Sequence, residues 1–352
     1  MKIAVLVSGG VDSAVALALL QEQGYDVVPF YLKIWLEDEL SFLGECPWEE
    51  DLSHVRAVCE HLGLDLQIVS LQKAYKEHIV SYTIAEVKAG RTPNPDMLCN
   101  TFIKFGAFLE SYANEFDKIA TGHYAGIIEQ NGFYALTMTP DLVKDQTYFL
   151  ARLSQEQLSR VLFPLASMTK EQVREYANRI NLPNKDRKDS LGLCFLGKFK
   201  FRDFVKAHVG TQEGKLVEYE TGAVVGSHEG FWFYTTGQRQ GLGLAGGPWY
   251  VVHKEPTTNV VFISKEYHAQ DKQRDTFLID EVQGLLSDYV NISLKVKLRH
   301  GPQLHTAVVT YAKDSQLLVK LSERDQGIAP GQFAVFYDKG VCIGSGKIIQ
   351  TL

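Results

Sequence analysis

Residues 3–13 read Ile3-Ala-Val-Leu-Val-Ser-Gly-Gly-Val-Asp-Ser13, and this stretch decides the fold. Its opening run of apolar residues marks a strand buried on both faces, as in a parallel sheet. Ser8-Gly9-Gly10 then turns the chain, and Asp12 or Ser13 is placed to cap a helix that runs through Gln23 and ends at Gly24. Strand, glycine turn and helix in that order put free backbone N–H groups and the positive end of a helix dipole at the C-terminal edge of a sheet. That is a seat for an anion, and two adjacent glycines let the backbone close on phosphate oxygens with no Cβ in the way. Ser8 and Ser13 add hydroxyls. Asp12 suits Mg²⁺, or the ordering of the loop, better than direct contact with phosphate.

Working outward, Val27–Leu32, Leu66–Val69 and Lys118–Thr121 read as further strands, and Leu52, Val55, Val58 and Leu62 mark one face of a helix that stops at Gly63. Strands alternating with helices predict an α/β domain with a doubly wound parallel sheet. After about Phe204 the pattern changes: turn residues become frequent and strand-like runs replace helices, as at Phe231–Tyr234, Trp249–Val252 and Val260–Ile263. Farther on, short alternating runs such as Ile292–Leu298 and Phe333–Tyr337 suggest a small β-barrel. The expected division is a catalytic domain over 1–204, a central β-rich domain over 205–273 and a C-terminal β-barrel over 274–352.

The chain has 352 residues, 45 % hydrophobic and 22 % charged, ordinary for soluble globular domains. No apolar run approaches the roughly 20 residues a bilayer-spanning helix needs, and Met1 leads into the first strand without a signal-like segment. These features predict a cytoplasmic protein without a membrane partner. Cysteines stand at 46, 59, 99, 194 and 342, never in a Cys-x-x-Cys pair, which argues against a disulfide framework or a familiar zinc pattern. Cys46 and Cys59, near His54 and His61, read as buried thiols, and no permanently bound metal is expected.

The net charge of −6 is unevenly spread. Glu37 to Asp51 holds seven acids and no base, a solvated face, while Lys185 to Lys206 holds seven Lys or Arg against three Asp. A local basic face of that kind can supply phosphate contacts to a nucleic acid despite the overall acidity. Gly241-Leu-Gly-Leu-Ala-Gly246 fits a dinucleotide fingerprint, but it follows no buried strand and Gly247-Pro248 breaks any helix behind it. A turn-rich linker is the better reading.

Cys99 lies in Gly90-Arg-Thr-Pro-Asn-Pro-Asp-Met-Leu-Cys-Asn100, where two prolines predict a stiff loop carrying Asp96 three residues before the thiol. Cys194 lies in Lys188-Asp-Ser-Leu-Gly-Leu-Cys-Phe-Leu-Gly197, read as a second loop inside the basic stretch. Cationic surroundings lower a thiol's pKa and populate the reactive thiolate. Alone, each cysteine reads more readily as a packed small hydrophobe than as a catalyst.

The glycine loop lacks the Gly-Lys-Ser/Thr ending of a Walker P-loop and resembles the SGGxDS loop of the ATP pyrophosphatases, whose fold is of the adenine nucleotide alpha hydrolase type. With Gly90–Asn100, Ala120-Thr-Gly-His-Tyr124, Lys144-Asp-Gln-Thr-Tyr-Phe-Leu150, Leu162-Phe-Pro-Leu165, Gly192–Gly197, Thr235–Gly243 and Pro330-Gly-Gln332, the whole chain resembles the tRNA-specific 2-thiouridylases. One departure is Leu191-Gly-Leu193, where Thr-Gly-Ile is usual before the cysteine; another is Leu32, where Met is common.

That resemblance implies ATP-dependent insertion of sulfur at C2 of the wobble uridine of tRNA. It implies ATP contacts from Leu6, Val7, Ser8, Gly9, Gly10, Val11, Asp12, Ser13, Leu32 and Gly122, with Mg²⁺ accompanying the nucleotide. It implies catalysis by Cys194 as persulfide carrier, Cys99 as the partner thiol of a transient disulfide, and Asp96 as general acid or base. Contacts to the tRNA anticodon stem-loop would come from Asn94, Pro95, Asp96, His123, Lys144, Asp145, Gln146, Arg299, His300 and Gln332, and a sulfur relay protein would deliver the persulfide. Direct attack by the persulfide and prior release of hydrosulfide by Cys99 both remain open. Two rivals differ in what they need: an ATP pyrophosphatase that adenylates a small substrate needs neither thiol, and a tRNA-binding protein with a merely structural ATP site would release no pyrophosphate.

Overall fold

In the computed structural model, which describes residues 1–34, 47–189, 201–266, 274–284, 286–313, 315–325 and 327–352, the apolar run near the N-terminus is the central strand of a parallel sheet. The strands of the first domain are β1 (Lys2–Leu6), β2 (Asp26–Lys33), β3 (Gln67–Ser70), β4 (Lys118–Thr121), β5 (Gly126–Gln130), β6 (Phe133–Thr137) and β7 (Val161–Leu162). Five of them form the sheet in the order β3-β2-β1-β4-β7. Ile3, Ala4 and Val5 are fully buried, and alternate residues face opposite layers. Ile3, Val5 and Val7 pack with helix α1 (Val11–Glu22) and helix α2 (Pro47–Leu62). Ala4 and Leu6 pack instead with the helical segments between residues 72 and 112. Burial on both sides is why the run carries no polar residue.

The first helix differs from expectation at its start. Gly10, not Asp12 or Ser13, is its N-cap, and no side chain caps it. The reason is that Ser13 turns its hydroxyl back to the Gly10 carbonyl at 3.0 Å, while the Asp12 carboxylate is drawn to Lys170 and Tyr124. The other end agrees: Gln23 is the C-cap and Gly24 takes φ +80°, the left-handed conformation glycine adopts without strain.

Helix Phe201–Val209 runs through residue 204 and leads into a sheet of β8 (Gly214–Glu218), β9 (Val224–His228), β10 (Tyr250–Glu255) and β11 (Val260–Ser264), ordered β10-β11-β8-β9. Phe231–Phe233, expected as a strand, is a 3₁₀ turn. Its aromatic rings are not alternately exposed. Phe231 and Tyr234 both enter the core of this domain, and Asn259 accepts the Phe231 N–H at 3.0 Å. Residues 241–246 form no regular element, with Gly241, Gly243 and Gly246 all at positive φ.

The third domain comprises β12 (Arg274–Gly284), β13 (Ser293–Lys297), β14 (His305–Tyr311), β15 (Leu317–Asp325), β16 (Phe333–Asp338) and β17 (Val341–Thr351). They run β12-β15-β14-β13-β16-β17, and pairing of β12 with β17 closes the barrel. Inward residues such as Phe277, Val296, Val309, Val319 and Phe336 fill it. The β5–β6 hairpin of the first domain extends this sheet: Val341 pairs with Thr137, and Met138 N–H donates to Gly340 at 2.8 Å. No helix among the described residues is long and apolar enough to cross a membrane.

Candidate active site

Strand order reverses at β1, which has β2 on one side and β4 on the other, so the chain leaves their C-terminal ends in opposite directions and opens a crevice there. Leu6, Val7 and Ser8–Ser13 follow β1, Leu32 lies near the end of β2, and Gly122 follows β4. The sheet therefore brings the whole expected nucleotide set to one edge. Gly9 takes φ +80°, and a Cβ there would lie 2.8 Å from the Asp51 carbonyl oxygen. At Gly122 a Cβ would meet the Ser13 nitrogen at 2.6 Å, so only glycine lets this loop touch the start of α1. With no side-chain cap, the N-terminal N–H groups of α1 are left for an anion, which fits a nucleotide phosphate.

Asp12 anchors a chain of hydrogen bonds leading away from this loop. Tyr124 Oη donates to Asp12 Oδ1 at 2.8 Å. The backbone of Tyr124 is held at both groups by Gln146: its N–H donates to Gln146 Oε1 at 3.0 Å, and its carbonyl accepts the Gln146 N–H at 2.8 Å. Two residues on, Tyr148 Oη accepts from Asn94 Nδ2 at 3.3 Å and donates to the Phe333 carbonyl at 3.1 Å. The glycine loop and the proline-marked segment are thus joined through the 144–150 motif.

Asn94 and Gln332, 238 residues apart in sequence, meet at 3.3 Å. Gln332 Nε2 also donates to the carbonyls of Thr92 and Pro93, at 3.1 and 2.9 Å, and Thr92 N–H donates to Pro330 at 2.8 Å. The barrel therefore clamps the segment before Asp96. Cys99, expected in a loop, is on a helix. Helix Pro95–Leu98 runs directly into the π-helical turn Cys99–Ala107. Pro95 is at the first helical position, where its missing N–H has no partner to lose, and Asn94 caps it by accepting the Met97 N–H at 3.2 Å. Helical spacing puts Asp96 and Cys99 on one face. Cys99 is 2 % exposed among Met97, Ile103 and Phe105, which keeps bulk water off the thiol. Cys194 lies outside the described residues, as does Cys46. Cys59 is buried, and that burial pushes its thiol up to about 11.

The remaining expected residues divide by exposure. His123 Nδ1 pairs with Thr121 Oγ1 at 2.8 Å between Phe105 and Phe163; burial first, and then Lys104, hold its pKa well below 6.5, so the ring is neutral. Asp145 is fully buried, bonded to Lys297 Nζ at 2.9 Å and Thr147 Oγ1 at 2.6 Å, so it presents nothing to solvent. Lys144 reaches Asp189 at 2.7 Å. Arg299 pairs with Asp325 at 2.6 Å yet stays 47 % exposed, and His300 stacks on Phe149 at 4.9 Å. These two bring a barrel edge beside the 144–150 motif. Sequence reasoning passed over Tyr124, Tyr148 and Lys170. Tyr124 and Tyr148 stand inside motifs already singled out, and Lys170 follows Thr169, whose capping box with Gln172 marks a helix start five residues after Leu165.

Domain profiles match along the chain: the tRNA methyl transferase HUP domain over 1–198, the tRNA methyl transferase PRC-barrel domain over 202–265, and the aminomethyltransferase beta-barrel domain over 274–348. A tRNA-specific 2-thiouridylase of Bacteroides thetaiotaomicron is 43 % identical over 99 % of this chain and 100 % of its own. Those of Parabacteroides distasonis and Porphyromonas gingivalis are 44 % and 43 % identical, each over 99 % of both chains. Two of these domain families are named for methyl transfer, whereas the relatives similar over the full length, across all three domains, are 2-thiouridylases.

Proposed function

This chain belongs to the tRNA-specific 2-thiouridylases, enzymes that transfer sulfur to tRNA, and from that premise we propose that it thiolates C2 of the wobble uridine at the expense of ATP. The observation that carries the mechanism is the hydrogen-bonded path from Asp12 through Tyr124, Gln146 and Tyr148 to Asn94. It sets an anion-binding helix terminus and a helix bearing Asp96 and Cys99 on one continuous support.

In this reading the uracil is swung out of the anticodon loop, because its C2 is out of reach while stacked. It rests against Asn94–Asp96. The C2 oxygen attacks the α-phosphorus of ATP, and the bond to pyrophosphate breaks. Leu6–Ser13, Leu32 and Gly122 hold the nucleotide; Asp12 would hold the Mg²⁺ that accompanies it, which would neutralise phosphate charge. A persulfide on Cys194, loaded by a relay protein, then forms the C2–S bond as AMP leaves. Cys99 attacks Cys194 Sγ, the S–S bond breaks toward C2, and 2-thiouridine departs. The resulting Cys99–Cys194 disulfide is reduced by an external thiol. Asp96, on the same helical face as Cys99, is the proton carrier. His123, Gln146, Arg299 and His300 border the path an RNA backbone would take, a combination of basic, polar and aromatic groups suited to a single-stranded loop.

Mass analysis of nucleosides after incubating tRNA with ATP, Mg²⁺ and a sulfur donor tests this directly. Cys99→Ser and Cys194→Ser should each abolish 2-thiouridine while tRNA affinity stays within about twofold, since a lost thiol removes little contact. Wild-type product from either variant would strike that cysteine from the mechanism.

A further inference from the structure

Several charged side chains from outside the glycine loop converge on it. Lys170, at the start of helix Lys170–Arg179, reaches Asp12 Oδ1 and Oδ2 at 2.7 and 2.9 Å. The same Nζ lies 2.7 Å from Asp189 Oδ1. Asp189 also accepts from Lys144 at 2.7 Å and from Arg174 at 2.8 Å. Three cations thus close on one carboxylate. Burial opposes its ionisation, but the hydrogen bonds from Lys144 and Lys170 prevail and hold the carboxyl far below the usual range.

Lys144, Lys170 and Arg174 face Asp12 and Asp189, with the Asp141 carboxylate taken up by the Lys170 N–H at 3.1 Å, beside an uncapped helix N-terminus that is itself positive. Carboxylate and phosphate oxygens take the same charge-assisted donors. A polyphosphate would satisfy this cluster more completely than one carboxylate does.

We propose that Lys170, Lys144 and Arg174 form the seat for the terminal phosphates of the nucleotide, and that Asp189 fills this seat as an internal anion which the polyphosphate displaces. The inference rests on the nucleotide reading of the glycine loop and extends it to residues more than 130 positions away. An internal competitor lowers apparent affinity by the fraction of time it occupies the site. A mere tether and a competing anion therefore differ in sign when Asp189 is neutralised.

Calorimetric titration of the full chain with Mg²⁺ and either inorganic pyrophosphate, ATP or AMP separates them. Lys170→Gln should weaken pyrophosphate binding about tenfold or more, the worth of one charge-assisted hydrogen bond, and leave AMP within about twofold; Lys170→Arg should restore most of the loss. Asp189→Asn should tighten pyrophosphate binding about three- to tenfold, since the rival charge is gone. If wild type binds ATP but Asp189→Asn leaves pyrophosphate affinity unchanged or lowers it, the seat is overturned and the nucleotide reading stands. If wild type binds neither ATP nor pyrophosphate, both fall. Thermal unfolding of each variant checks the fold, and should Lys170→Gln not fold, the near-isosteric Asp189→Asn decides alone.

Discussion

His123 is a neutral imidazole because its neighbours leave it no means of holding a proton: two phenyl rings border it and Lys104 adds a repelling charge. A histidine whose folded pKa lies below its unfolded value of 6.5 favours the fold fully above that pH and opposes it as pH falls. Melting temperature should accordingly drop between about pH 7.5 and about pH 5 in the wild type, and His123→Gln should flatten part of that slope. Only part, because burial and then Lys297 depress His300 in the same direction. Identical slopes in the two proteins would show that His123 titrates elsewhere. At this scale, Ser8–Ser13 could be read from the chain because strand, turn and helix are neighbours in sequence. The partners that aim Asp12 could not. Tyr124 and Lys170 lie 112 and 158 residues away, and nothing local about a tyrosine or a lysine discloses which carboxylate it will meet.

Among the elements, the short helix Pro95–Leu98 shows where a local rule misleads. Proline argues against a helix interior but favours a first turn, and Asn94 before it is a strong cap; that pairing is the signal in the sequence that distinguishes the two. The helix is also held from outside by the Pro330–Gln332 turn. Gly331 takes φ +93°, and a Cβ on it would stand 2.7 Å from the Thr92 carbonyl oxygen and 2.9 Å from Arg91 Cβ. Gly331→Ala should therefore cost more than about 1 kcal/mol in urea unfolding and depress thiolation by loosening Asn94 from Gln332. A variant with the wild-type midpoint and full activity would show that the clamp does not position Asp96. Among the barrel strands, Ser293–Lys297 was legible from alternation, whereas Phe333–Asp338, buried on both faces, shows only as an unbroken apolar run. Their docking on residues 92–94 was not, because it rests on one glycine and one glutamine.

The molecule as a whole is fastened by the ion pair of Lys297 with Asp145, both fully buried, at 2.9 Å. Removing one member of such a pair strands the other charge, at a cost of about 3–5 kcal/mol. Lys297→Met should show that loss in denaturant unfolding, and adding Asp145→Leu should recover part of it, though Thr139 N–H, which donates to Asp145 at 3.0 Å, would then lack its acceptor. Equal midpoints for Lys297→Met and wild type would mean the pair does not hold the domains together. The three-domain order was visible in the sequence as changes of periodicity. The sharing of structure between domains was hidden, since neither the β5–β6 hairpin nor Asp145 announces that its partners belong to the barrel.

That ion pair also sets a timetable. A ribosome delivers Asp145 152 residues before Lys297, a delay of roughly ten to thirty seconds at ordinary elongation rates. Until the lysine emerges, closing the chain over a lone carboxylate is prohibitive, so the segment that links Tyr124 to Asn94 must stay open to water. The support between the glycine loop and the helix that bears Asp96 and Cys99 is in consequence left unfinished in a nascent chain until the barrel exists.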